Sequence, residues 1–239
     1  MSERRARSAR PPGRAPSQHF LRSQALAAEL VRDAGIGPDE LVLDLGAGTG
    51  RLTAELARVA RGVVAVELDP RLAERLVGRW PNVRVACDDA ASVPLPDEPF
   101  RVVANLPFTG AMGILRHLLD DPCVPLERAD VIVEWGVAVK RALPWPSSLN
   151  DVLWGAWHTS SVTRRLPRRC FRPSPSVDAG VLVFERRHEP LVPPEEAESY
   201  RRFVAYAFRR GRRAVRAEPR ELDPHEWAAA YRARASARP

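Results

Sequence analysis

The sequence predicts an α/β protein: a mostly parallel sheet of seven strands with helices on both faces, followed by a small C-terminal helical domain. Three observations carry this expectation. Strand-length apolar runs alternate with helical stretches from residue 24 to about residue 184, the pattern of a parallel sheet whose crossovers are helices. A glycine loop, Gly46-Ala47-Gly48-Thr49-Gly50, joins the first of these strands to a helix. A proline-rich stretch, "EPLVPPEEAE", marks a boundary near residue 190, and the chain beyond it is helical in spacing.

Taken in order, residues 1–16 hold five arginines and three prolines without apolar periodicity, and read as a disordered basic arm. "QALAAELVRDAG" has helical spacing and stops at a glycine. "ELVLDLGAGTG" is a strand entering the glycine loop, "RLTAELARVA" a helix and "GVVAVELD" the second strand. "PRLAERLVGRW" is a helix with proline in its first turn. "NVRVACDDA" and "FRVVAN" are strands three and four, "AMGILRHLLDD" a helix and "ADVIVEW" the fifth strand. "WGAWHTSSVTRRL" and "DAGVLVFERR" both read as strands, and with no helix evident between them they are expected to form an antiparallel edge pair. The boundaries are thus a basic arm at 1–16, an α/β domain at 17–188 and a helical domain at 189–239.

The chain has 239 residues and a net charge of +7, and Lys140 is its only lysine. Arginine on this scale fits either a GC-rich coding sequence or phosphate binding, because guanidinium forks onto phosphate oxygens. No apolar run is long enough to span a bilayer and no secretory leader is evident, so a membrane role is not expected. Cys87, Cys123 and Cys170 are odd in number and lack metal-ligand spacing. They read as reduced thiols of a cytoplasmic protein, with no metal site.

The strand, glycine loop, helix, strand and acid series points to a nucleoside-containing cofactor. Gly46, Gly48 and Gly50 let the backbone turn sharply and approach a ligand. Glu67 ends the next strand, where a carboxylate can accept both ribose hydroxyls. The spacing is G-x-G-x-G rather than G-x-G-x-x-G, and Asp44 precedes it. An acid there repels a pyrophosphate but suits the ammonium of an amino acid, which favours S-adenosylmethionine over a dinucleotide. Asp88 or Asp89, at the end of the third strand, can accept from an adenine amino group.

"NLPF" ends the fourth strand, on the side of the sheet where α/β folds bind ligands. An exocyclic amine on a nucleobase is a poor nucleophile because its lone pair is delocalised into the ring. The Asn105 side-chain carbonyl and a backbone carbonyl can accept its two hydrogens and localise that lone pair. Pro107 fixes φ and so aims the Leu106 carbonyl. Phe108 offers a face on which a flipped base can stack.

With these motifs in this order, the chain resembles the Erm family of 23S ribosomal RNA adenine-N6 methyltransferases. These are sisters of the enzymes that dimethylate small-subunit rRNA. The matching stretches are "SQHFL" (17–21), "LDLGAGTG" through Gly50, "VELD" (66–69), "DDA" (88–90), "NLPF" (105–108), "VEWGVAVKR" (133–141) and "FRPSPSV" (171–177). The resemblance implies a class I methyltransferase with a Rossmann-like sheet that uses S-adenosylmethionine. It would methylate N6 of one adenine in 23S rRNA as a monomer and so confer macrolide, lincosamide and streptogramin B resistance. The alternatives are small-subunit rRNA dimethylation in ribosome assembly, and a non-catalytic RNA-binding or transcription factor on the same fold. By the same resemblance His19 and the Leu21 backbone border the methionine end, Gly46 lines the loop, Glu67 holds the ribose and Asp89 meets the adenine. Asn105 and Phe108 orient and stack the target base, and "FRPSPSV" frames its entrance. The chain departs from the family pattern at His19, where asparagine is usual, and at the "TGA" that follows Phe108.

Two arginine groups are candidate RNA contacts. Arg164, Arg165 and Arg168 lie just before "FRPSPSV". Arg209, Arg212, Arg213 and Arg216 fall on one half of a C-terminal helix whose other half carries Tyr200, Phe203, Val204, Ala207 and Phe208, at about 100° per residue.

Overall fold

The computed structural model describes residues 18–146, 148–211 and 221–236. The basic arm at 1–16 and Arg212, Arg213 and Arg216 lie outside the described residues. The elements are β1 (Phe20–Leu21), α1 (Gln24–Ala34), β2 (Leu41–Leu45), α2 (Arg51–Val59), β3 (Gly62–Val66), α3 (Pro70–Leu76), β4 (Val83–Ala86), β5 (Phe100–Asn105) and α4 (Ala111–Leu119). They continue as β6 (Leu126–Glu134), α5 (Trp135–Arg141), α6 (Leu149–Trp157), β7 (His158–Leu166), β8 (Phe171–Arg172), β9 (Ala179–Arg186), α7 (Ala197–Arg210) and α8 (Pro224–Ser236).

Seven strands form one sheet in the order β4-β3-β2-β5-β6-β9-β7. The first five are mutually parallel, while β9 runs antiparallel to both β6 and β7. The expected antiparallel pair is present, with β7 at the edge and β9 inside. One expectation is corrected. Residues 154–157 of "WGAWHTSSVTRRL" are the last turn of α6, and the strand begins only at His158. Ser148 caps that helix, its Oγ accepting from the Asp151 N–H. Val152, Leu153, Trp154, Ala156 and Trp157 are all buried, so α6 lacks a polar stripe that would betray a helical period.

Local chemistry fixes the other helix ends. The Ser23 Oγ accepts from the Leu26 N–H to start α1, and Gly35 ends it at a φ of 64°. Asp69 caps α3 with Pro70 at its first position. The last four residues of β2 and β3 and the first five of β5 are buried, as interior parallel strands are when both faces are covered.

One core lies between the sheet and α4, α6, α7 and α8; it includes Phe100, Trp154, Trp157, Tyr200 and Trp227. The C-terminal helices therefore share continuous packing with the sheet. The Trp227 ring stacks on Phe208 at 5.7 Å, and truncating such a buried ring costs about 3–5 kcal/mol. The other face packs α1 and α2 through Leu30, Val31, Leu52 and Leu56, together with Leu21 and Phe171. Those last two belong to a separate antiparallel ribbon in which β1 pairs with β8, Phe20 opposite Arg172. Among the described residues no helix is long and apolar enough to cross a membrane.

Candidate active site

The carboxyl ends of β2, β3, β4 and β5 and the β1 segment enclose a cavity of about 440 Å³. It is lined by Gln18, His19, Gly46, Glu67, Asp89 and the whole of Asn105 to Gly110, among others. This is the size and setting of a cofactor site in an open α/β sheet.

Each wall follows from local structure. Gly46 sits at a φ of 80°, and a Cβ there would lie 3.7 Å from the Asn105 carbonyl oxygen, so the loop passes close over the end of β5. Gly48 admits no side chain, since a Cβ would stand 2.7 Å from the Phe20 ring. Its N–H donates to Glu67 Oε2 at 2.7 Å, and the Asp69 N–H donates to Glu67 Oε1 at 2.9 Å. Glu67 is thus fixed by two backbone donors and only 3% exposed. Each carboxylate oxygen keeps a second lone pair, so a vicinal diol can be accepted as well. Asp89 accepts from the Ala91 N–H through Oδ1 at 2.9 Å, while Asp88 turns its Oδ1 to the Asp89 N–H. Both acids line the cavity.

Asp44 lies in a small recess beside the cavity, with Phe20, Leu21, Ala47 and Thr49. Gly46 and Asn105 line both spaces. The Thr53 hydroxyl donates to Asp44 Oδ2 at 2.6 Å. Burial, the dominant cause, pushes the Asp44 carboxyl up to about 7, against the hydrogen bond from Thr53 and with a smaller push from Glu67. A cation entering this recess would return it to the ionised form.

Asn105 provides the most informative geometry. Its Nδ2 donates to the His19 carbonyl at 2.7 Å, which sets the amide orientation. Its Oδ1 is buried without a partner in a side chain that lines the cavity. A buried, unpaired carbonyl oxygen is costly, about 1–3 kcal/mol, and asks for a donor. The His19 ring Nδ1 lies 2.8 Å from the Pro173 carbonyl oxygen. Phe108 is 5.3 Å from the His19 ring and 6.3 Å, edge-on, from Phe171. His19 and Phe20 of the first motif, "NLPF" and the start of "FRPSPSV", far apart in the chain, therefore meet at one mouth.

Leu21, part of the ribbon itself, lines the small recess with Asp44 rather than the main cavity. Other expected residues stand elsewhere: Gly48 lines neither space and braces Glu67 from beneath. Arg164 pairs with Glu29 at 2.6 Å and Asp33 at 3.2 Å on α1. Arg165 pairs with Asp178 at 2.9 Å and lies over the Trp135 ring. No carboxylate lies within ion-pair distance of Arg168 or Arg209 among the described residues. Sequence reasoning did not pick out Leu68, which lines the cavity beside Glu67 and is 62% exposed. An apolar residue directly after a strand-end acid was its only signal. Phe20 was also missed, because its role depends on the facing Gly48.

The sheet order, the glycine loop, the acid of the second strand and the Asn-Leu-Pro-Phe turn together define a class I methyltransferase. A profile of the family described as ribosomal RNA adenine dimethylase matches residues 14–234. An rRNA adenine N-6-methyltransferase of Corynebacterium diphtheriae is 35% identical over 80% of this chain and 75% of its own length. The small subunit methyltransferase A of Leifsonia xyli is 32% identical over 86% of this chain and 77% of its own. The mycinamicin-resistance protein MyrB of Micromonospora griseorubida is 29% identical over 90% and 76%. The chain spans 61% of a further relative, from Streptomyces fradiae. Among solved structures, the 23S rRNA methyltransferase ErmE superposes with a TM-score of 0.76 at 28% identity, covering 89% of this chain and 98% of that one. The chain belongs to the ribosomal RNA adenine dimethylase family and is an rRNA adenine methyltransferase.

Proposed function

We propose that this protein transfers methyl groups from S-adenosylmethionine to N6 of a specific adenine in 23S rRNA, and so protects the ribosome against macrolides, lincosamides and streptogramin B. The observation that carries the chemistry is the buried, unpaired Asn105 Oδ1 at the cavity wall. It is an acceptor held ready for an amine, on a side chain whose other end is fixed by the His19 carbonyl.

The cofactor, when bound, supplies an electrophilic methyl. The chain's own acids suit the rest of it: Asp44 for the ammonium, Glu67 for the ribose diol and Asp89 for the adenine amine. Asn105 Oδ1 and the Leu106 carbonyl then accept the two N6 hydrogens of the target adenine. This draws the nitrogen toward a pyramidal shape and frees its lone pair, an interaction that strengthens as the amine changes geometry. Phe108, braced by His19 and Phe171, stacks on the flipped base. No general base is required, because the methylated ammonium is acidic enough to lose its proton to water.

We assign residues 17–188 to catalysis and cofactor binding and 189–239 to RNA contact, with Arg209 there and Arg168 in the α/β part as cations outside any ion pair among the described residues, and the chain acting as a monomer. The similarity to ErmE and to a mycinamicin-resistance protein favours the large-subunit target over the small-subunit one. Primer extension on 23S and 16S rRNA from a susceptible host expressing this chain is the test. A stop at one drug-site adenine of 23S rRNA is expected, and stops confined to 16S rRNA would overturn the target assignment.

A further inference from the structure

A second cavity, of about 310 Å³, lies at the end of the sheet opposite the active site. β7 is parallel to β6 through their shared antiparallel partner β9. Through Ile132 and Val181 the register sets Asn105 level with Arg164, so the first residue of β7, His158, stands six strand residues away toward the opposite end of the sheet, about 20 Å along the strand direction. Arg141, Asp151, Trp154, His158, Arg187 and Pro224 are among its lining residues.

The open hydrogen-bonding capacity of this cavity is dominated by donors. Arg141 pairs with Asp151 and donates to Ser148 Oγ at 2.8 Å, yet its buried Nε has no partner. Asp151 is engaged by Arg141 through one oxygen and by the Ser148 hydroxyl through the other, at 2.9 Å. Arg187 donates from Nε to the Gly155 carbonyl at 2.9 Å, and no carboxylate lies within ion-pair distance of it among the described residues. His158 is 2% exposed, and neither of its ring nitrogens has a hydrogen-bond partner. The Trp154 carbonyl nearby already accepts the His158 backbone N–H. Arg141 is opposed by Asp151 and Arg187 by the more distant Asp223, so the pocket is marked by open donors, the Arg141 Nε and the His158 ring, rather than by net charge. Its natural occupant is a compact anion with several acceptor oxygens, and a phosphate has that chemistry. Burial, with Arg186 and Arg187 nearby, holds the His158 imidazolium down to about 4 in the empty pocket, so an incoming anion would be met by a neutral N–H.

At the lip of the cavity Pro144 and Pro146 line the wall, and Trp145 between them is 56% exposed. A phosphate pocket beside an exposed aromatic ring is the pairing used to hold a nucleotide by its backbone and stack its base. We propose that this cavity is a second RNA contact. In it Arg141, His158 and Arg187 receive a backbone phosphate and Trp145 stacks the adjoining base, so that one rRNA fragment spans both ends of the sheet. The inference rests on the reading that rRNA is the substrate.

The test uses the full chain and its Arg187→Gln and Trp145→Ala variants. Gln retains an amide donor for the Gly155 carbonyl, and Trp145 is exposed, so the two do not share a folding risk. Affinity for a long rRNA fragment should fall about fivefold or more with Trp145→Ala. With Arg187→Gln the slope of log affinity against log salt should drop by about 0.7–0.9. Affinity for S-adenosylmethionine and turnover on a short stem-loop that fills only the active site should not change. Long-fragment affinity and slope equal to wild type in both variants would overturn the proposal. Inorganic phosphate separates the remaining source. If it shifts the His158 imidazole resonances, and Arg187→Gln abolishes that shift while RNA binding is unaltered, the cavity holds free phosphate and the RNA assignment is wrong. Absence of rRNA methylation by the wild-type chain would instead remove the parent reading, whatever these binding data show.

Discussion

Asp44 makes cofactor binding a titration. In the empty site burial holds its proton on up to about 7. An amino-acid ammonium in the adjoining recess demands the carboxylate, so cofactor affinity should track ionised Asp44. Between pH 7.5 and 5.5 that fraction falls by about 25-fold, at tenfold per unit below the midpoint, and affinity should fall with it. Binding at pH 6 should release about 0.9 of a proton. Isothermal titration of S-adenosylmethionine in two buffers of different ionisation heat reads both quantities. Asp44→Asn should bind more weakly at pH 7.5 and show no dependence across this range. The linkage has a second face. A carboxyl whose folded value is raised is fully stabilising below about 3.8 and loses that contribution as pH rises through 7. The empty protein therefore carries a penalty of roughly 4 kcal/mol above pH 7, and Asp44→Asn should melt higher than wild type at pH 8. Pairing of low cofactor affinity with a raised melting temperature is the signature. A flat pH profile in wild type, with no proton released, would refute the reasoning.

Three further outcomes are expected. Glu67→Ala should weaken cofactor binding by roughly ten- to a hundredfold, the cost of losing a charged acceptor; equal affinities by calorimetry would remove Glu67 from the ribose. Asn105→Ala should slow single-turnover methyl transfer far more than it weakens RNA binding, whereas Phe108→Ala should damage both, by about 1–3 kcal/mol for the lost stack; a fully active Asn105→Ala would show that its carbonyl does not activate the amine. Arg209→Gln should lower the salt slope of RNA binding by about 0.7–0.9 and leave cofactor affinity alone; filter binding from low to high salt is the check, and an unaltered slope would return that helix face to solvent.

What the sequence revealed and what it hid divide along a physical line. The interior strands were legible because both faces are covered, so "LVLDL" and "FRVVA" read as apolar runs broken by a single charged residue each, Asp44 and Arg101. Glu67 and Asn105 were legible because their positions follow from strand ends and a loop spacing, all local. α6 was misread because its residues are buried on every side, and its Trp and Thr-Ser-rich continuation mimics a strand. The fate of Arg164 was hidden for another reason. Its acids, Glu29 and Asp33, lie more than a hundred residues upstream, and no period in the sequence announces a pairing that only the packed sheet creates.

The two-residue ribbon of β1 and β8 has a consequence for how the protein comes into being. Phe20 and Leu21 find their partners only at Phe171 and Arg172, and His19 reaches its carbonyl only at Pro173. During synthesis the parallel strands β2 to β6 and the glycine loop can begin to pair before these later residues leave the ribosome. The clasp over the methyl-transfer chamber cannot. The clasp therefore closes no earlier than the emergence of about residue 173, a delay written into the protein by a hydrogen-bonded seam between its beginning and its late middle.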